Sequence, residues 1–289
     1  MKKALFLFLV FSIASNAQFK AIVKDSITHR PIAYAGIWSA STDYAISTNK
    51  EGVFETKKMH KNDTLVFFTT GYKTKKILCS NLDQFVFLSP KSAIAPSNLT
   101  PNRKLKKYIE NDDFLTKNNK QFFSTDSITQ LVAQYLPFLP EYENQMFLKD
   151  IQFAIQSDFK ILSYKVRFFE AGIDGKPGAE LLNEAIFGTT MARCYFDPKY
   201  KNALKYSVND KINLKKNRIV FPKNGLFIAL ELPFSSENDC HCRKNGSPII
   251  NPLVMITPIK NDAIWEFHFG EWRKIKDSKE VAFRLTLED

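Results

Sequence analysis

The chain has 289 residues, a formal net charge of +11 and four cysteines. Four cysteines are too few for a disulfide-dense scaffold, and lysines dispersed along the chain read as a solvated basic surface, not as a nucleic-acid footprint. No stretch past the N-terminus approaches the roughly 20 apolar residues of a bilayer-spanning helix, so the mature chain is expected to carry no transmembrane segment.

Residues 1–17 open with Lys2 and Lys3, continue through an apolar run from Ala4 to Ile13, and close on Ala14, Ser15, Asn16 and Ala17. That order of basic, apolar and small residues is the layout of a cleaved secretory signal and predicts a periplasmic or secreted protein. A lipoprotein anchor would need a cysteine at the cleavage site, whereas the first cysteine is Cys79. Loss of the signal lowers the formal charge to +9, and about 270 remaining residues favour two domains.

From residue 18 to 90, short β-branched or aromatic runs alternate with turn residues. Phe19–Val23, Ala33–Ser39, Asp43–Ser47, Val53–Thr56, Thr64–Thr69 and Phe85–Leu88 read as strands of a small sandwich. Leu65, Val66, Phe67 and Phe68 are continuous, which predicts a strand buried on both faces.

Several residues here carry a resemblance. Val23 and Asp25, then Pro31, Ala35 and Ile37, then Thr48, Gly52 and Phe54, and finally Gly71 with Tyr72 fall in the order of a known pattern. In these the segment resembles the carboxypeptidase regulatory-like domain, a transthyretin-like β-sandwich common as an N-terminal module in exported proteins of Bacteroidota-type bacteria. The chain departs from it at Ala21, where that family usually has Gly, and at Asn49, where it usually has Asp. The resemblance implies scaffold roles: a tight turn at Gly52, an inward Phe54, and a turn at Gly71 where a Cβ would clash.

Residues 91–147 change character. Three prolines within "SPKSAIAPSNLTPNRKLKK" suggest a linker, and two short amphipathic helices are expected after it, over Leu105–Leu115 and Ser127–Leu136. The second would place Ile128, Leu131, Val132 and Tyr135 on one face, with Asp126 or Ser127 as N-cap and Pro137 as stop.

Residues 148–289 return to a strand pattern, with nine candidates: Ile151–Ile155, Leu162–Phe169, Ile186–Thr190, Ala203–Val208, Arg218–Phe221, Leu226–Leu232, Leu253–Ile256, Trp265–Phe269 and Ala282–Leu287. They suit a jelly-roll-like sandwich of two antiparallel sheets. "RFFEAGIDGKPGAELLNEAIF" and "IVFPKNGLFIALELP" resemble envelope β-sandwich domains that follow regulatory-like modules; that likeness brings no known chemistry. The expected fold is thus mostly β, with an N-terminal transthyretin-like sandwich, a short helical linker and a C-terminal jelly-roll-like sandwich.

Templates for chemistry fail in turn. His268 and Glu271 form His-x-x-Glu, half of a metallocarboxypeptidase zinc site, but no histidine follows to complete it, and strand alternation would place the two on opposite faces. Cys240, His241 and Cys242 offer soft ligands with Glu237 or Asp239 nearby. Their spacing is not that of a structural zinc site, and a disulfide among Cys194, Cys240 and Cys242, a polar loop and a metal all stay open, the disulfide or structural cysteines favoured. Asp174–Gly178, "DGKPG", lacks the alternating ligands of a calcium loop and reads as a hairpin turn. No nucleophile elbow or phosphate loop is present.

No catalytic, cofactor-binding or metal residue is assigned. Trp272, flanked by Glu271 and Arg273, is the tryptophan expected to be exposed for ligand stacking. The function expected is a non-catalytic exported module binding an envelope protein or glycan, with no nucleic acid as partner; the alternative is a hydrolase of unfamiliar type using carboxylates of the C-terminal sandwich.

Overall fold

The computed structural model describes residues 19–92, 108–110, 121–123, 130–142, 146–156, 162–190, 207–233, 253–260, 264–276 and 279–288. Residues 1–17, expected to be an export signal, and Cys194, Cys240 and Cys242 lie outside them. Among the described residues the protein is mostly β, with helical structure confined to short 3-10 turns.

The first seven strands are β1 (Phe19–Asp25), β2 (Gly36–Ser39), β3 (Ala45–Ser47), β4 (Val53–Thr56), β5 (Thr64–Phe68), β6 (Lys75–Leu78) and β7 (Phe85–Leu88). They build two facing sheets in the orders β4-β1-β7 and β3-β2-β5-β6, with β1 and β7 parallel. Period-two alternation sends Phe19, Ala21 and Val23 of β1 inward, with Phe54, Val86 and Leu88, against Ile37, Leu65 and Phe67 of the second sheet. Each of these side chains larger than Ala21, fully buried, contributes about 1.5–3 kcal/mol.

Turn residues hold this sandwich by hydrogen bonds readable from their chemistry. The Asp25 carboxylate accepts the N–H groups of Ile27 and Thr28, each at 2.7 Å, and the Tyr72 hydroxyl at 3.0 Å. Burial and that carboxylate push the Tyr72 phenol up to about 12, so it remains a donor. Thr48 Oγ1 accepts from Ala35 N and donates to the Ile32 carbonyl, both at 2.8 Å. Asn49 Oδ1 accepts from Glu51 N and Val53 N, closing the turn as Asp would. Gly52 there has φ +74°, a conformation open to glycine without a steric cost.

The remaining strands are β8 (Tyr108–Glu110), β9 (Gln121–Phe123), β10 (Gln130–Leu136), β11 (Phe147–Gln156), β12 (Leu162–Ala171), β13 (Pro177–Glu180), β14 (Ile186–Thr190), β15 (Ser207–Asn213), β16 (Leu226–Leu232), β17 (Leu253–Lys260), β18 (Ile264–His268), β19 (Glu271–Lys274), β20 (Lys279–Val281) and β21 (Phe283–Glu288). One antiparallel sheet follows β13-β12-β16-β10-β18-β19, with β14 also on β12; the other follows β20-β17-β11-β21-β8, with β15 on β11 and β9 on β17. Tyr164, Val166, Phe168, Ile228 and Leu230 of the first pack against Ile151, Phe153, Phe283 and Leu285 of the second. The two sheets are also tied by Val281 N, which donates to Gln134 Oε1 at 3.0 Å.

Three segments depart from expectation. The helix expected over Ser127–Leu136 is instead, in its described part, the central strand β10, paired with β16 and β18. A strand buried on both faces reads as an unbroken apolar run, and "QLVAQYL" satisfies both periods; long-range pairing decides. Pro137 does end the element. Of Leu105–Leu115, residues 108–110 form β8 on the edge of the second sheet. Residues 91–147, expected as a linker with short helices, therefore supply three strands to the C-terminal sandwich. Nearby, Arg218–Phe221 makes only an isolated bridge, Val220 to Phe147, in place of the expected strand.

The sandwiches stack. β5 sends Leu65 and Phe67 into its own core and Val66 and Phe68 outward, as its continuous apolar run predicts. On β12 and β16 the face opposite the C-terminal core carries Phe169, Ala171, Phe227 and Ala229, and these meet Trp38, Ala45 and Val66 of the N-terminal sandwich. The molecule is four sheets deep, with a buried seam between the middle two.

Candidate functional site at the seam between the sandwiches

Lys165 and Arg167 project from β12 into this seam and Glu231 from β16, all three fully buried; Glu180, at the end of β13, is nearly so. Lys165 Nζ donates to Glu231 Oε1 at 3.0 Å, to Thr69 Oγ1 at 3.2 Å and to the Tyr34 carbonyl. Arg167 grips two carboxylates: Nε and Nη2 donate to Glu180 Oε1 and Oε2 at 2.8 and 3.1 Å, and Nη1 to Glu231 Oε2 at 3.2 Å. Thr70 Oγ1 donates to Glu180 Oε1 at 2.8 Å and Lys91 Nζ to Oε2 at 3.1 Å. Tyr34, Thr69, Thr70 and Lys91 belong to the N-terminal side, so the network crosses the seam.

Every carboxylate oxygen in the network has a cationic partner, which is the condition for burying such groups without a large desolvation penalty. Burial pushes the Glu180 carboxyl up, but Arg167, Lys91 and Thr70 together hold it below the usual carboxylate value. Burial pulls the Lys165 ammonium below the ordinary lysine value, against the attraction of Glu231. A carboxylate held anionic between fixed cations is a poor proton donor at neutral pH. Two carboxylates do converge here, yet on Arg167 and beneath the N-terminal sheet.

The signal for this network was present in the strands themselves. Lys165 and Arg167 alternate in "LSYKVRFFEA", so they share a face, and Glu231 is a lone charge inside "LFIALEL". A charge within an otherwise apolar central strand needs a buried partner.

The other half of the seam is aromatic. The Arg167 guanidinium lies 4.2 Å above the Phe68 ring and 5.1 Å from that of Phe169. Phe68 stacks on Phe267 at 4.5 Å, and Trp38 meets Phe267 edge-on at 5.0 Å. Trp272, expected to be exposed, is half-buried and edge-on to Phe267 at 5.3 Å, Phe169 at 5.6 Å and Phe68 at 6.5 Å. Its ring packs between the sandwiches because the β18–β19 hairpin folds that face onto β5.

That hairpin also corrects the expected separation of His268 and Glu271. Phe269 and Gly270 both have positive φ, +50° and +76°, and form a two-residue turn, so His268 and Glu271 are cross-strand partners on one face. Alternation applies only within one strand. Burial, reinforced by Arg273 and opposed by Glu266 and Asp43, holds the His268 imidazole below its ordinary value. Among the described residues no three His, Cys, Asp or Glu side chains converge as metal ligands do; Cys240, His241 and Cys242 lie outside them. Cys79 is a buried free thiol of the N-terminal core, pushed up to about 11 by burial and by Asp63. The turn expected at Asp174–Gly178 falls at residues 172–176, which close the β12–β13 hairpin, and Pro177 and Gly178 begin β13.

No family model matches the chain, and no curated protein matches it. Among solved structures the chain is similar to the cysteine protease and lectin-like domains of Cwp84, a surface layer associated protein of Clostridium difficile. The TM-score is 0.38 and the identity 9%, over 89% of this chain and 59% of that one.

Proposed function

We propose that this protein is a non-catalytic, exported module of the cell envelope that presents a rigid surface to a protein or glycan. The observation that carries the reading is the seam network: the buried carboxylates Glu180 and Glu231 are committed to Arg167, Lys165, Lys91 and Thr70. They brace two sandwiches and leave no free acid or base among themselves. The export half of the reading is supported by the order of basic, apolar and small residues in 1–17.

Membership of the N-terminal sandwich in the carboxypeptidase regulatory-like group is part of the same proposal. In its support, Asp25 and Tyr72 bond to each other, Thr48 bridges Ala35 and Ile32, and Gly52 and Gly71 both have positive φ. All of these are scaffold roles, as that resemblance implies.

Two measurements test the reading. Protein recovered from the periplasm or medium should begin at Gln18 on N-terminal sequencing, and the tagged mature chain should capture an envelope protein or a glycan from envelope fractions. Hydrolysis of a peptide or glycoside panel by the purified chain, abolished in Glu231→Gln, would instead establish the hydrolase alternative.

A further inference from the structure

The seam hides one face of the N-terminal sandwich, and among the described residues nothing covers the opposite face. On the sheet β4-β1-β7 the side chains that alternate outward are Lys20, Ile22 and Lys24 from β1, Val53 and Glu55 from β4, and Phe85 and Phe87 from β7. Register assembles them into rows: Lys20 opposite Glu55, Val53 beside Ile22 beside Phe85, and Lys24 beside Phe87. The middle row is apolar across all three strands. Phe85 is 38% exposed, and Ile27, in the adjoining turn, is 72% exposed. Contiguous apolar surface of this kind marks an interaction site more often than scattered single residues do.

The apolar row is set among cations. Lys20 is neutralised by Glu55 at 3.5 Å. Lys24 has no carboxylate partner among the described residues, and its ammonium rests 4.0 Å above the Phe85 ring. Phe87 is 6.4 Å from Phe85 and meets the His29 ring edge-on at 5.4 Å. β7 is an edge strand, but the Lys75 ammonium donates to the Phe87 carbonyl at 2.9 Å, so that edge is blunted against pairing with an added strand. The face therefore carries two rings tilted 43° to each other and, over one of them, an ammonium with no carboxylate partner among the described residues. It suits a sugar whose C–H groups meet the exposed part of Phe85 and whose acidic group reaches the Lys24 ammonium held on that ring.

We infer that this face binds an anionic polysaccharide bearing sugar carboxylates. The inference rests on the proposed binding-module reading and names its partner class. Polygalacturonate is the probe, and neutral dextran the control, in affinity electrophoresis and titration calorimetry of the mature chain. Polygalacturonate should retard the protein and dextran should not, with binding that weakens as salt is raised. Phe85→Ser and Lys24→Ala should each weaken binding about tenfold, while Lys216→Ala, an equal loss of charge at an exposed site on the C-terminal sandwich, should leave it unchanged. Because Phe85 and Lys24 face solvent, both variants should keep the wild-type circular dichroism and melting temperature. Equal weakening by Lys24→Ala and Lys216→Ala would reduce the effect to net charge and overturn the site, as would unchanged binding in Phe85→Ser. No polygalacturonate binding alongside an envelope partner captured by pull-down would overturn this inference and leave the binding-module reading standing. An acidic protein captured by the wild type and lost in Phe85→Ser would overturn the glycan assignment in the same way.

Discussion

Arg167 holds two buried carboxylates at once and lies against the rings of Phe68 and Phe169, which stack on each other. Replacing it with Met would keep much of the packing volume but leave Glu180 and Glu231 buried without their shared cation. Removing one partner from a buried ionic cluster costs about 3–5 kcal/mol. Arg167→Met should therefore lower the urea midpoint strongly at pH 7, and pairing it with Glu180→Met should recover part of the loss. The same network sets an acid limb. Glu180 titrates below its ordinary value of 4.5 in the fold, so the folded state binds fewer protons than the unfolded chain around that pH. The stability it contributes is complete above about pH 4.5 and is lost as the pH falls through its lowered value. Glu180→Gln should be less stable than the wild type at pH 7 and should show a shallower decline of stability below pH 4.5 in urea titrations.

At the scale of elements, the legible parts were those whose information is local. The strand read at Phe19–Val23, the unbroken run Leu65–Phe68 and the turn chemistry of Asn49 and Gly52 all predict what is found, because side-chain period and backbone preference act within a few residues. The strand Gln130–Leu136 was misread as helix because its two neighbours, Leu226–Leu232 and Ile264–His268, come from about 100 or more residues away in the sequence. Likewise His268 and Glu271 were separated by treating the Phe269–Gly270 turn as strand. Lys165, Arg167 and Glu231 were passed over as candidate residues because their partners lie on other strands. Gly71, by contrast, was read correctly as a position where a Cβ would clash. Its φ is +81°, and a Cβ there would come within 2.1 Å of the Asn183 carbonyl oxygen in the C-terminal sandwich. Gly71→Ala should cost about 1–3 kcal/mol, measured as a drop in melting temperature, and should be worse than Gly175→Ala, whose Cβ would meet nothing within 4 Å.

Across the whole molecule, the middle sheets are buried on both faces, one of them by its own core and by the neighbouring sandwich together. Neither sandwich can leave the other without exposing Trp38, Val66 and Phe68 on one side and Phe169 and Phe227 on the other. Calorimetry of the purified protein should therefore show one endotherm whose van't Hoff and calorimetric enthalpies agree, and not two separated transitions. Two resolved transitions would mean that the seam couples the halves only weakly.

Trp38, Trp265 and Trp272 are all the tryptophans the chain possesses, and each packs into or against the seam cluster. Indole emission from this protein is consequently a report on a single plane. Blue-shifted while the sandwiches are docked, it should move to longer wavelength when they part. The docked state can thus be followed in solution with no added label, even where backbone dichroism stays constant.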